Sequence, residues 1–223
     1  VKTTQERALF RPTDITVGAD GALYVADWYD QRVGGHRTYD DSCSGAIYRI
    51  APKGFKSQKV NIDVSTVKGA VHALKNPSAN IRFMGHWALR AFGQQAVPEL
   101  RELLNNSNPY IAARALWVLP YLGAEGIAIC TKYFLEGGKY ALPALKSLSR
   151  YDFDTFSKTL KRYKHWQKAE VVAAVCGELY LADYQIKGDF LVQASKAWDG
   201  KDLYYLDALY RGVGKNREQL WLD

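Results

Sequence analysis

The chain has 223 residues, 48% of them apolar, enough to bury one large core or two small ones and too many for wholesale disorder. No run of about eighteen apolar residues occurs, so nothing in the sequence reads as a membrane-spanning helix. The formal net charge is +7, and residues 1–52 carry six basic against seven acidic groups, so the excess lies wholly beyond residue 52. Such a basic body attracts nucleic acid or an acidic partner, or is a lysine-dressed solvated face.

The chain opens on Val1 without a signal-peptide pattern, and its strand-like start leads us to expect a piece of a longer protein. Asp14–Val17, then Gly18-Ala-Asp-Gly21, then Ala22–Trp28 read as strand, tight turn, strand. The Asp20-Gly21 pair between alternating apolar runs is a strong hairpin signal, because Gly accepts the positive φ of the turn. Leu23 and Val25 share one face of the second strand, Tyr24 and Ala26 the other. A third strand is predicted at Ala46–Ile50, closed by Pro52, which cannot continue a ladder. Three strands this short need support from elsewhere.

The loop between the second and third strands, Tyr29–Ser44, is long for a hairpin connection, and such loops are often functional. Asp27, Asp30, Asp40 and Asp41 offer oxygens to Ca²⁺, and His36 offers a base or a ligand nitrogen. Gly34-Gly35 lets the backbone approach a ligand closely. Asp and Gly in loops also make turns and side-chain-to-backbone bonds with no other purpose. His36 and Asp30 are the candidate catalytic residues, and Asp27, Trp28, Arg32 and Asp40 the candidate ligand- or metal-binding ones.

The stretch FRPTDITVGADGALYVADWYDQRVGGHRTYDDSCSGAIYRIAPKG (Phe10–Gly54) resembles the last blade of a quinoprotein-type β-propeller. More narrowly, it resembles the membrane-bound dehydrogenase-like family of planctomycetes, verrucomicrobia and Bacteroidetes, through DGALYVADWYD and RVGGH together. Members of that family join a sugar-dehydrogenase-like propeller to HEAT repeats, and many continue into a c-type cytochrome with a CxxCH haem site. The resemblance continues more loosely into the helices, through Trp198-Asp-Gly-Lys-Asp202 and Tyr205-Leu-Asp-Ala-Leu209. Earlier blades and CxxCH are both missing from this chain. The resemblance implies an oxidoreductase of the periplasm or cell envelope that oxidises a sugar or alcohol and passes electrons to quinone or haem c, with Ca²⁺ as a further cofactor. This segment alone would bind no cofactor. Its partners would be the remaining blades, or a partner chain, and a cytochrome c domain docking on the helices.

From about residue 60 the chain reads as helices. Val64, Val67, Val71 and Leu74 follow a three-four spacing and share one stripe. Asn76-Pro77 and Asn108-Pro109 lie 32 residues apart, each ahead of an arginine (Arg82, Arg114) and an apolar run ending at Gly93 or Gly123. Asn is a good N-cap, Pro is tolerated in the first turn, and Gly ends helices. Ala96–Leu104 makes a shorter helix between the two. Paired helices at this period read as HEAT-like repeats stacked into an α-solenoid. Arg82 and Arg114 are expected to bind carbonyls or acids between adjacent repeats.

The stripes continue through Ile127, Cys130 and Phe134; Leu142, Leu145 and Leu148; Phe153, Phe156, Leu160 and Tyr163; Val172, Val175 and Leu179; and Leu203, Leu206, Tyr210 and Val213. That makes roughly ten helices. The apolar end at Trp221-Leu222 leads us to expect more chain or a partner beyond it. Of the three cysteines, none in a CxxC pair, Cys130 and Cys176 fall among apolar positions as small buried hydrophobes. His86 beside Trp87 reads as a packed core histidine, and Tyr204, Tyr205 and Tyr210 as packing. The run Lys158, Lys161, Arg162, Lys164, His165 and Lys168 beside Trp166 reads as a phosphate site or, more simply, a solvated helix face.

The fold expected is thus mainly α: a HEAT-like solenoid over residues 55–223, preceded by a small antiparallel segment, one propeller blade, over residues 1–54. The leading functional expectation is the C-terminal part of a propeller–HEAT dehydrogenase, inactive by itself. A non-catalytic protein-interaction scaffold is the alternative, and a DNA-binding HEAT protein the third reading, which the blade disfavours.

Overall fold

The computed structural model describes residues 10–28, 45–57, 60–165 and 168–222. The chain is mainly helical with one small three-stranded antiparallel sheet. It divides into two compact units, Val1–Ala88 and Leu89–Asp223.

The first unit opens with strands β1 (Pro12–Val17), β2 (Leu23–Asp27) and β3 (Ala46–Ile50) in the spatial order β1-β2-β3. The hairpin turns where Asp20-Gly21 predicts it. Gly21 has φ +84°, and the Gly18 N–H donates to Ala22 O at 2.8 Å. Pairing of Ile15 with Val25 and of Val25 with Tyr48 sets these three on one face, beside the row Val17, Leu23 and Ile50. Of these six apolar side chains only Val25 is buried, at 6% exposure, while Ile15 keeps 61%. On the other face Ile47 keeps 76%.

Helix α1 (Val67–Lys75) starts where Thr66 accepts the Gly69 N–H at 3.1 Å, so Val64 precedes the helix that its spacing seemed to join. Helix α2 (Ala79–Phe92) crosses α1 at Gly85, where a Cβ would meet Ala70 O at 2.6 Å. Asn76 differs from its expected role. It closes α1 and holds the Ser78 N–H through Oδ1 at 2.8 Å, and its Nδ2 donates to Ala19 O in the hairpin turn at 3.1 Å. Its amide therefore faces the sheet, where an N-cap would face its own helix. Arg82 donates to Asn76 O and Pro77 O, carbonyls just ahead of its own helix. His86 is half-buried beside an exposed Trp87, with ring centroids 6.1 Å apart, and is not a core residue.

The second unit continues with α3 (Val97–Leu103), α4 (Pro109–Leu116), α5 (Ala124–Glu136), α6 (Ala141–Tyr151), α7 (Phe153–Leu160), α8 (Ala169–Leu179), α9 (Tyr184–Lys196), α10 (Leu203–Val213) and α11 (Arg217–Leu222). Here the second Asn-Pro pair behaves as read. Asn108 Oδ1 accepts from the Tyr110 and Ile111 N–H groups, with Pro109 in the first turn. Most of the predicted stripes form the core: Cys130, Phe134, Leu145, Leu148, Phe156, Leu160, Tyr163, Val172, Val175 and Leu179 are buried, whereas Ile127 and Leu142 are half-buried and Phe153 is exposed. Phe134 stacks on Tyr163, with ring centroids 5.0 Å apart and planes 7° from parallel.

Helix α10 departs from its reading. It buries Tyr205, Ala208, Leu209, Gly212 and Val213, and leaves Leu203, Leu206 and Tyr210 exposed. Gly212 decides the orientation, because a Cβ there would stand 3.0 Å from the Cys176 side chain of α8. Tyr205 packs as expected and donates its hydroxyl to Ala194 O at 2.8 Å, whereas Tyr204 and Tyr210 stay in water. No helix among the described residues is long and apolar enough to cross a membrane.

Candidate functional site

The loop singled out in the sequence leaves the sheet at Trp28 and returns at Gly45. Asp30, Arg32, His36 and Asp40 lie outside the described residues. Asp27 and Trp28 are described, at the end of β2. Asp27 is buried at 9% exposure, and its Oδ1 accepts the Arg11 N–H at 2.8 Å. The Trp28 N–H donates to Arg11 O at 3.0 Å. Together these contacts close the β1–β2 ladder, so Asp27 completes a backbone pairing where the loop begins. The Trp28 side chain keeps 59% exposure.

At the opposite end of the sheet, Asp20 gathers a polar cluster. Its Oδ2 accepts from Arg49 Nη2 at 2.8 Å, Arg49 Nε at 3.0 Å, Ser57 Oγ at 3.1 Å and Tyr24 Oη at 3.3 Å; its Oδ1 accepts the Ala22 N–H at 3.1 Å. The Arg49 hydrogen bonds dominate, and they lower the Asp20 carboxyl to about 2. The Arg49 guanidinium also lies over the Phe55 ring at 5.5 Å. These contacts tie the turn, the third strand and the connector together.

Of the basic run of residues 158–168, Lys158, Lys161, Arg162 and Lys164 are exposed, as on a solvated face, and His165 and Lys168 are engaged by α5. Lys158 pairs with Asp154 at 2.6 Å within α7. The Lys168 Nζ bonds to Gly137 O, and the His165 ring nitrogen Nε2 lies 2.8 Å from Leu135 O. Both side chains thus sit at the C-terminal end of α5, where the last carbonyls lack helical partners and the macrodipole favours cations. Gly137 has φ +63°, and a Cβ there would meet the His165 ring at 2.8 Å. Trp166 lies outside the described residues.

Sequence reading missed Lys187. It is 1% exposed, and its ammonium reaches Val213 O at 3.2 Å, Tyr180 O at 3.4 Å and Leu179 O at 3.5 Å. It therefore clamps the C-terminal ends of α8 and α10 with the three donors an ammonium has. Desolvation lowers its pKa, while Asp183 and Cys176 pull it back up. The spacing of Lys187 to Phe190, Leu191 and Ala194 places it on the buried stripe of α9, and that was the signal to read. Burial pushes the thiols of Cys130 and Cys176 up to about 12, in keeping with inert core cysteines.

An open groove of about 650 Å³ runs along α5, lined by Ala124, Ile127, Ala128, Thr131 and Leu135, with Arg162 at its margin. Among the described residues, no three His, Cys, Asp or Glu side chains come together as a metal site would need. Compared with known protein families, curated proteins and solved structures, the chain matches none.

Proposed function

We propose that the chain is the C-terminal part of a propeller–HEAT dehydrogenase-like protein, with the sheet as the closing blade and the helices as a docking solenoid. The observation that carries this reading is the sheet. It is a meander of three short strands whose apolar face is half in water at Ile15, Leu23, Tyr48 and Ile50. A sheet with that face and, among the described residues, two unpaired edges would be completed by further β-structure on one face, as a blade is by its neighbours. In the whole protein a sugar or alcohol would be oxidised and the electrons passed to quinone or haem c. Asp27 would fix the start of the loop at the propeller mouth, and Asp30, Arg32, His36 and Asp40 would supply its side chains. Catalytic groups from other blades would complete the site, so the 223-residue chain alone is inactive. Incubation with a panel of sugars, alcohols and electron-accepting dyes tests this. No turnover is expected, and clear turnover by the chain alone overturns the reading.

A non-catalytic interaction scaffold is the second reading. It is favoured by the exposed apolar side chains on the helices, Phe83, Met84 and Trp87 on α2 and Leu203 and Tyr204 on α10. A full-length protein that holds no redox cofactor, together with a stoichiometric protein partner, would decide for it.

A further inference from the structure

We propose that a cleft between the end of α7 and one side of α9 binds a small apolar amino acid as its zwitterion. The cleft has a volume of about 140 Å³. Ser157, Leu160 and Lys161 line it from the end of α7, and Ile186, Asp189, Phe190 and Gln193 from α9. Both sets keep the spacing of neighbours on one helix face, so a single face of each element borders the cleft. Its floor is apolar, with Leu160 and Phe190 buried and Ile186 half-buried. Its walls carry opposite charges, Lys161 on one and Asp189 on the other, both exposed.

Neither charge is spent within the chain. Among the described residues, Lys161 and Asp189 form no ion pair, with each other or with any third group. The Ser157 hydroxyl donates to Asp154 O at 2.9 Å, which leaves its oxygen free to accept. Gln193, exposed at the rim, offers both a donor and an acceptor.

Size and charge together select the ligand. The volume equals that of about five waters at about 30 Å³ each. Bonded atoms pack more tightly than waters, so alanine or valine fits and a peptide does not. A simple anion would satisfy Lys161 and leave Asp189 facing it, and a neutral apolar molecule would strand both charges. A zwitterion sets its carboxylate on Lys161, its ammonium on Asp189 and its aliphatic side chain on the floor. Against that floor the two charge-assisted contacts are stronger than in open water. A ligand of so few atoms binds with a dissociation constant on the order of millimolar.

Titration of the whole chain with L-valine, followed by amide NMR, tests the proposal. Saturable shifts should appear within residues 157–161 and 186–193, with a midpoint on the order of millimolar. Isovalerate and isobutylamine, each lacking one of the two charges of valine, should bind at least about tenfold more weakly. Lys161→Met and Asp189→Asn, both at exposed positions, should each weaken valine binding about tenfold and leave the rest of the spectrum unchanged. Should one variant unfold, the other and the two analogues decide. No saturable shift below about 50 mM valine, equal binding of either analogue, or undiminished binding by a folded variant overturns it.

Discussion

In the sheet, the row Ile15, Val25, Tyr48 sets one buried side chain between two exposed ones. In the helices, the stripes through Cys130 and Phe134, Leu145 and Leu148, and Val172 and Val175 are sealed from water. The polar groups differ in the same sense. Asp20 collects its donors at the surface of the first unit, whereas Lys187 collects three carbonyls deep in the second. Stability in the helices is therefore a property of interior packing, where each methylene counts. Stability of the sheet rests on its ladders and on a few polar ties, and much of its apolar face stays in water. The two units should answer substitution very differently.

Phe134→Ala should have the largest effect, a loss of about 4 kcal/mol by chemical denaturation, because it removes a ring stacked on Tyr163 in a sealed core. Gly126→Ala comes next, at about 3 kcal/mol. Its Cβ would stand within van der Waals overlap of Leu119 O, so α5 must shift to admit it. Lys187→Met keeps the length of the side chain but leaves the α8 and α10 carbonyls unpaired, at about 2 kcal/mol.

In the first unit the sensitive variable is acidity. The Asp20 carboxyl titrates lower when folded than the ordinary carboxylate near 3.9. The stabilisation it supplies is complete above that ordinary value and is lost as pH falls toward about 2. A carbon-detected NMR titration of Asp20 should place its midpoint at about 2, and Arg49→Ala should raise it toward the ordinary value while the Ala22 and Ser57 hydrogen bonds still hold it down in part. The smallest effect should be that of Ile47→Thr, within about 0.5 kcal/mol, since its side chain is mostly in water. A cost equal to that of Phe134→Ala would mean that Ile47 is covered in solution, and the contrast between the units would fail.

Element types were legible where local chemistry and burial agree. Asp20-Gly21 marks the hairpin, Asn108-Pro109 starts α4, and Cys130 and Phe134 lie on a buried stripe. Two readings failed, and one residue went unread, where a distant contact decided. Asn76 carries the same local signal as Asn108, yet Ala19 claims its amide. The seam of Leu203, Leu206 and Tyr210 is as regular as any core stripe, but Gly212 lets the other side of α10 approach Cys176. Lys187 looks like a solvated lysine until two helix ends converge on it. Of the loop candidates, Asp27 is used by the backbone of Arg11, a role that its position at a strand end allows but its identity does not announce.

The tie between Asn76 and Ala19 joins groups 57 positions apart in the chain. Contacts of that separation close late, because the chain entropy they consume is lost before they return anything. A ribosome that has delivered the hairpin has not yet delivered the residue that secures its turn. The Asp20 ties to Arg49 and Ser57 can form once the third strand and connector have emerged, and the tie from Asn76 follows them. Order of emergence thus makes Asn76 the last of these polar groups to reach the turn.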